Sequence, residues 1–312
     1  MIQSEIDISI VVLSFNSKTD LERLLPSILK SEGVSFNAVA SFMGPGKPVS
    51  YTGEIIVVDN GSTDNTIDWL ENQCPKIHGR EKMDIIRNSN NGFAKGNNLG
   101  IKVAKGKYLL ILNPDTELRP DTLKTMYEFM ESRPDVGMST CKVLLPSGKL
   151  DVACRRRFPN PWNSLLRLLR ISNSNYNMLD TDESVSQEID SCMGAFMFAR
   201  RLRATRYALP AFDESFFMYG EDIDLCWRVK EAGYKVWYYP ETNITHYKGS
   251  SSKKVPFLAL KWFHDAMWIF YRKHYAANYF FLFNWSVWLG IYCRFVALVI
   301  LNAFRRNRRV SG

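Results

Sequence analysis

Asp115 ends the turn Asn113-Pro114-Asp115, which follows the apolar run Tyr108 to Leu112. A carboxylate at the end of a buried strand offers a hard oxygen ligand to Mg²⁺ or Mn²⁺, with Glu117 two residues further on. The same residues also serve ordinary turn chemistry, with Thr116 or Asp121 able to cap the next helix. Far downstream, Glu221-Asp222 opens a helical stretch that also contains Asp224. Carboxylates there complement a helix dipole. Beside Phe216, Phe217 and Met218, an apolar setting can also raise a carboxyl pKa until the group takes a proton from a hydroxyl. Asp222 is the expected base and Glu221 its reserve. His246, one of four histidines, precedes the basic stretch Tyr247-Lys248-Gly249-Ser250, which is able to fold over a diphosphate. That context favours a ligand over a structural histidine.

Two more stretches suit an anionic, nucleotide-like partner. In Asp59-Asn60-Gly61-Ser62-Thr63-Asp64, Asp59 can accept hydrogen bonds from a base or ribose, and Gly61 permits close approach. Asp64 or Thr63 can equally cap a helix. Gly92-Phe93-Ala94-Lys95-Gly96-Asn97-Asn98-Leu99-Gly100 opens a helix whose free N–H groups, with Lys95, can face an anion. Neither a Walker loop nor a dinucleotide fingerprint is present.

These residues need a scaffold, and Ile8 to Leu112 supplies one by alternating short apolar runs with amphipathic stretches, the pattern of βα units. Strands are expected at Ile8 to Leu13, Glu54 to Val58, Met83 to Ile86 and Tyr108 to Leu112. Helices are expected at Asp20 to Leu29, Asn65 to Asn72 and Lys95 to Ala104. Open parallel sheets bind ligands at the carboxyl ends of their strands, so the four strand ends should line one cleft. Residues 33–53, with Gly44-Pro45-Gly46, read as a surface insertion. Beyond Asp115 come a helix at Pro120 to Ser132, a strand near Val136 to Val143, a helix around Trp162 to Ile171, a polar loop at Asn173 to Glu188, and a buried strand at Met193 to Ala199. A helix from Glu221 to about Ala232 stops at Gly233, and Asn243 to Thr245 is a short apolar segment. Pro256 to Tyr275 reads as an aromatic amphipathic helix. Tyr279 to Phe304 is nearly all apolar but interrupted by Arg294, which favours an in-plane or re-entrant anchor over a clean span. A helix packed on the soluble part is the plainer reading.

The formal charge of +8 on 312 residues is concentrated in Arg155-Arg156-Arg157, in Arg200-Arg201 with Arg203 and Arg206, and in Arg305 to Arg309. The last cluster directly follows the apolar segment, which favours a membrane surface over nucleic acid. The six cysteines, Cys74, Cys141, Cys154, Cys192, Cys226 and Cys293, have neither zinc-site nor disulfide-framework spacing. A reducing compartment fits them, and no signal peptide is evident at the start of the sequence.

Taken in order, Val11 to Asn16, Ile55 to Ser62, Asn91-Gly92-Phe93-Ala94 with Gly96-Asn97-Asn98, Leu112 to Thr116, Phe212-Asp213-Glu214 and Tyr219 to Asp224 resemble the GT-A family 2 glycosyltransferases, within them the bacterial rhamnosyltransferase-like branch. The resemblance runs from about Ile8 to Ser252. It implies an α/β fold of GT-A type, with a Rossmann-like mixed, mostly parallel sheet flanked by helices and a C-terminal membrane-associated helical segment. The implied division is a catalytic domain at 1–252 (nucleotide-binding half 1–115, acceptor half 116–252, insertion 33–53) and a membrane-association region at 253–312. Nucleotide contacts are implied at Ser14, Asn16, Asp59 and Gly92, metal ligation at Asp115 with His246, and base catalysis at Asp222. Asn60, Lys95, Asn97 and Asn113 complete the expected donor-binding set. The implied reaction inverts the anomeric carbon by direct displacement. It moves a sugar, L-rhamnose from dTDP-rhamnose or another sugar from a UDP donor, with Mn²⁺ or Mg²⁺. The expected acceptor is a lipid-linked or growing surface polysaccharide at the cytoplasmic face of the plasma membrane, with no nucleic-acid partner.

The chain departs from the family pattern in three places. Asn113 and Pro114 stand where the strongest metal motif has further aspartates. Residues 33–53 have no counterpart in the compact family core. Asp190-Ser191-Cys192 replaces the common aspartate-tryptophan pair. Two rivals follow: an inactive membrane-bound scaffold of the same fold, and a nucleotidyltransferase. The second should carry a glycine- and lysine-rich loop after its first strand, and Ser14-Phe15-Asn16-Ser17 is not one.

Overall fold

The computed structural model describes residues 6–36, 51–72, 83–161, 175–202, 210–248 and 256–310. Most of the 33–53 insertion, the helix expected at Trp162 to Ile171, Cys74, Arg203 with Arg206, and Gly249 to Ser252 lie outside them, as do the side chains of the terminal arginines.

Strand β1 (Ile8–Ser14) is buried along its whole length, as befits a continuous apolar run covered on both faces. It lies between β3 (Tyr51–Asp59) and β5 (Tyr108–Leu112), parallel to both, and β4 (Met83–Arg87) extends the sheet beyond β3. β2 (Val34–Ser35) pairs with the start of β3. The register sets Ser14 beside Asp59, Asp59 beside Arg87, and Val12 beside Leu112, so the carboxyl ends of all four expected strands are level. Beyond β5 the direction changes. β11 (Phe196–Arg200) runs antiparallel between β5 and β7 (Val136–Leu144), and β12 (Lys235–His246) is parallel to β7. The short strands β6 (Thr116–Leu118) and β9 (Gln187–Ile189) are both antiparallel to β12, and a separate pair joins β8 (Arg155–Arg156) to β10 (Ser191–Cys192).

Helices cover the sheet. α1 (Lys18–Leu29) buries Leu21, Leu24, Leu25 and Ile28, the spacing of one helical face. α2 (Thr66–Asn72), α3 (Phe93–Val103), α4 (Thr122–Ser132) and α5 (Glu221–Glu231) follow. α3 sits unusually close to β1 because Gly96 has no side chain; a Cβ there would stand 2.4 Å from Leu13 Cδ1. The sequence pattern showed β12 only as the short segment at 243–245. Pro240-Glu241 breaks its apolar alternation, and the ladder absorbs them as a register shift between Tyr239 and Asn243.

Two long helices complete the described chain, α6 (Pro256–His274) and α7 (Phe281–Val310). α6 is fastened to α5. Buried Asp224 accepts from Arg228 Nε at 2.8 Å, Lys273 Nζ at 2.7 Å and His274 Nε2 at 2.8 Å. Trp227 packs against His274, Phe270 and Tyr275. Within α7, Phe281–Phe304 is long and apolar enough to cross a membrane and almost none of it is buried, unlike a core helix. Its polar interruptions make the contacts to α6. Arg294 Nη1 meets His264 Nε2 at 2.7 Å, and Tyr292 Oη donates to Asp265 at 3.0 Å.

Among the described residues, arginines of two of the three clusters are engaged in hydrogen bonds within the chain. Arg155 is buried and donates to Thr181 and the Asp182 carbonyl, and Arg157 pairs with Asp180. Arg200 and Arg201 donate to carbonyls at the ends of α4 and α3, Met130 and Ala104. These groups hold loops together, so their charge is not a polyanion-binding surface.

Candidate active site

At the level strand ends, backbone and side chains knit four loops into one rim. Asp59 is buried; its carboxylate accepts from both the N–H and the hydroxyl of Ser62, folding Gly61-Ser62 into a tight turn. Asn16 adopts a left-handed φ of 51°, and its Oδ1 accepts from Thr63 N at 2.7 Å. Asn60 donates to Asn90 Oδ1 and the Gly92 carbonyl and accepts from Asn88, so its amide ties loops together. Gly92 has φ 94°, and a Cβ there would lie 2.5 Å from the Phe217 carbonyl. That carbonyl accepts from Phe93 N at 2.7 Å, which fastens the start of α3 to the loop before α5. Lys95 is exposed in the first turn of α3. Ser14 Oγ and Asn97 Oδ1 are buried without hydrogen-bond partners, an uncommon state for native polar groups.

The turn at the end of β5 meets the end of β12 because β6 and β12 are antiparallel, with His246 paired to Thr116. His246 Nε2 therefore lies 3.3 Å from Asp115 Oδ1. On its other side, Nδ1 lies 3.1 Å from Asp151 Oδ2. Burial opposes the charged imidazole, but the Asp115 and Asp151 carboxylates outweigh it and push the histidine up to about 9. Tyr247 follows with its N–H on the Asp115 carbonyl at 2.8 Å, its hydroxyl on Glu117 at 2.7 Å, and the Arg23 guanidinium over its ring. Asp20, on α1, is pushed up by burial and then by the charge of Asp115. Asn113 N donates to the Ala195 carbonyl at 3.2 Å, which brings the 193–195 loop against this turn.

Asp222 reaches the same loop. Its Oδ2 accepts from Gly194 N at 3.2 Å and from Arg156 Nη2 at 2.7 Å, and its Oδ1 from Ile223 N at 2.8 Å. Burial first, and then the charge of Asp222, push Glu221 up to about 8, and its Oε2 is buried without a partner. Asp224 belongs to the α5–α6 junction.

The structure thus brings together Ser14, Asp59, Gly92, Asn113, Asp115, His246 and Asp222, all anticipated from sequence, and adds Asp151 and Arg156. Arg156 was visible only as part of a charge cluster. Asp151 gave no signal, since it stands alone in a hairpin after Pro146-Ser147-Gly148 and its partners are distant in sequence. One oxygen donor and one nitrogen donor 3.3 Å apart suit joint ligation of one divalent ion. Among the described residues no group of three His, Cys, Asp or Glu side chains is placed to hold a metal ion by itself.

Comparison with known proteins gives the same direction. The model of "Glycosyl transferase family 2" matches residues 9–201, and that of "Glycosyl transferase family group 2" matches residues 108–305. The chain is 29% identical to rhamnosyltransferase WbbL of Escherichia coli K12 over 219 residues, 67% of this chain and 78% of that one. It is 22% identical to an N-acetylglucosaminyl-diphospho-decaprenol L-rhamnosyltransferase of Mycobacterium tuberculosis H37Rv, covering 96% of this chain and 95% of that one. Among solved structures, the mannosyltransferase PcManGT of Pyrobaculum calidifontis, in complex with GDP-Man and Mn²⁺, superposes with a TM-score of 0.53 at 16% identity, over 82% of this chain and 61% of that one. A TarS fragment from S. aureus gives 0.50 at 17% identity, over 82% and 65%. At these identities the structural likeness speaks for the GT-A fold alone.

Proposed function

Because this chain belongs to glycosyl transferase family 2 and is a glycosyltransferase using a nucleotide sugar, we propose that it transfers L-rhamnose from dTDP-rhamnose to a lipid-linked saccharide, with inversion and with Mn²⁺ or Mg²⁺. The observation that carries the site assignment is the approach of His246 Nε2 to within 3.3 Å of Asp115 Oδ1 at the strand ends. A divalent cation bound there supplies positive charge against the leaving diphosphate.

The chain's own groups do the rest. Asp59 and the Gly61-Ser62 turn receive the nucleoside, with Asn16 bracing the turn from β1. Gly92 admits the Phe217 carbonyl that closes the start of α3, and the first turn of that helix presents its positive dipole end to the pyrophosphate. Asp222 takes the proton of the acceptor hydroxyl as the new oxygen–carbon bond forms and the bond from the anomeric carbon to phosphate oxygen breaks. Arg156 and Gly194 N hold its Oδ2, leaving Oδ1 with a single backbone donor.

The rhamnosyl donor rests on the names of the two relatives, and the lipid-linked acceptor on the mycobacterial one. The exposed apolar length of α7 supports placing the reaction at the cytoplasmic face of the plasma membrane. The test is release of nucleoside diphosphate by full-length protein from dTDP-rhamnose, UDP-glucose, UDP-galactose and UDP-N-acetylglucosamine, with membrane lipid extract as acceptor, with and without metal. Preference for a UDP-sugar would overturn the donor; turnover of none would favour the inactive scaffold.

A further inference from the structure

The hairpin after β7 sends one carboxylate under the metal-binding pair. Asp151 is 1% exposed, and each of its oxygens has a distinct task. Oδ2 faces His246 Nδ1 at 3.1 Å; Oδ1 accepts from Lys248 Nζ at 3.0 Å and from Ala153 N at 3.3 Å. His246 stands at the strand's last position, where the ladder has only β6 as a neighbour, so its ring needs another fixture.

We infer that Asp151 is a positioning residue for the metal centre: by accepting the Nδ1 proton of His246 it fixes the tautomer and rotamer that turn Nε2 toward Asp115. A metal-ligating imidazole must offer a lone pair on one nitrogen, and a carboxylate on the other raises its basicity and locks its orientation. Without Asp151 the neutral ring can carry its proton on either nitrogen, and the 3.3 Å approach of Nε2 to Asp115 loses the contact that holds the ring's other edge. The Lys248 contact gives the same carboxylate a second function. It ties down the first residue after Tyr247, whose own N–H and hydroxyl already bind the Asp115 carbonyl and Glu117. Asp151 therefore joins the metal-binding histidine to the start of the basic stretch.

The inference rests on the reading of Asp115 and His246 as metal ligands, and the experiment separates the two. Mn²⁺ binding to full-length protein is measured by electron paramagnetic resonance, without nucleotide and then with dTDP or UDP, in wild type and in Asp151→Asn, Asp151→Glu, Lys248→Met, Asp115→Ala and His246→Ala. Thermal unfolding without metal reports whether each variant folds. The expected result is a 10- to 100-fold rise in the Mn²⁺ dissociation constant for Asp151→Asn, partial recovery in Asp151→Glu, and a smaller rise in Lys248→Met, which loses one of the contacts that hold the Asp151 carboxylate. Asp115→Ala and His246→Ala lose the site. Loss in those two with wild-type affinity in folded Asp151→Asn overturns the positioning role alone. Wild-type affinity in Asp115→Ala and His246→Ala overturns the metal-site reading. If Asp151→Asn does not fold, weakened Mn²⁺ binding in folded Asp151→Glu supports the role and unchanged binding overturns it.

Discussion

Burial and the adjacent charge of Asp222 push the Glu221 carboxyl up to about 8 from an ordinary 4.5, so the fold favours its neutral form. The linkage sign follows. The native state binds this proton more tightly than the unfolded chain, so the stabilising contribution is complete below about pH 4.5 and is lost as pH rises toward about 8. Glu221→Gln removes that dependence: its stability relative to wild type should climb across this window by up to a few kcal/mol, measured by denaturant unfolding at stepped pH. A flat difference would contradict the buried, uncompensated carboxyl. Asp222 is held by Arg156 and two backbone donors, so Asp222→Asn should stay folded at a cost of about 3 kcal/mol for the Arg156 charge left unpaired while lowering kcat by at least about 100-fold; near-normal turnover would remove it as the base. At this scale the sequence was informative about residue types and weak about partners. Asp115, His246 and Asp222 stood out because strand ends and helix starts are legible. Asp151 and Arg156 did not, since a hydrogen bond across 95 or 66 residues leaves no local pattern.

At the scale of elements, the parallel half was readable because its strands are apolar runs punctuated by polar turns. β12 was not, because a bulge let a proline and a glutamate into a 12-residue strand. That strand matters, as it carries His246 to Asp115. The α5–α6 junction was likewise hidden. Asp224, which looked like a third carboxylate at the helix start, is the buried partner of Arg228, Lys273 and His274. Asp224→Asn should therefore cost about 3 kcal/mol, the usual scale for stranding buried charge, and thermal melting should show it; a change below about 0.5 kcal/mol would mean that the junction is solvated. Phe217 joins this junction to the donor rim by stacking on Trp262 at 4.5 Å while its carbonyl holds Phe93 N. Trp262→Ala should raise the donor KM several-fold with little change in kcat, and equal loss in both would contradict the coupling.

For the whole molecule, Arg155, Arg157, Arg200 and Arg201 are engaged with loops and helix ends, and the apolar length exposed on the described chain is that of the last helix. The sequence expectation of an interrupted apolar segment was right in composition. Arg294 interrupts it to meet His264 on α6, and the helix runs on continuously through it. Removing residues 279–312 should move the protein from the membrane fraction to the soluble fraction; retention in membranes would place the anchor elsewhere. The order of strands places the Ser14–Asp59–Gly92 rim, the Asp115–His246 pair and Asp222 at one end of the sheet, with α6 bracing the loop that leads into α5. The most direct test of that assembly is nucleoside diphosphate release from dTDP-rhamnose by full-length wild type and Asp115→Ala, with membrane lipid acceptor, in Mn²⁺ and in EDTA. The account predicts turnover only for wild type with metal, falling at least about 100-fold in EDTA or in the variant; equal turnover in all four conditions would contradict it.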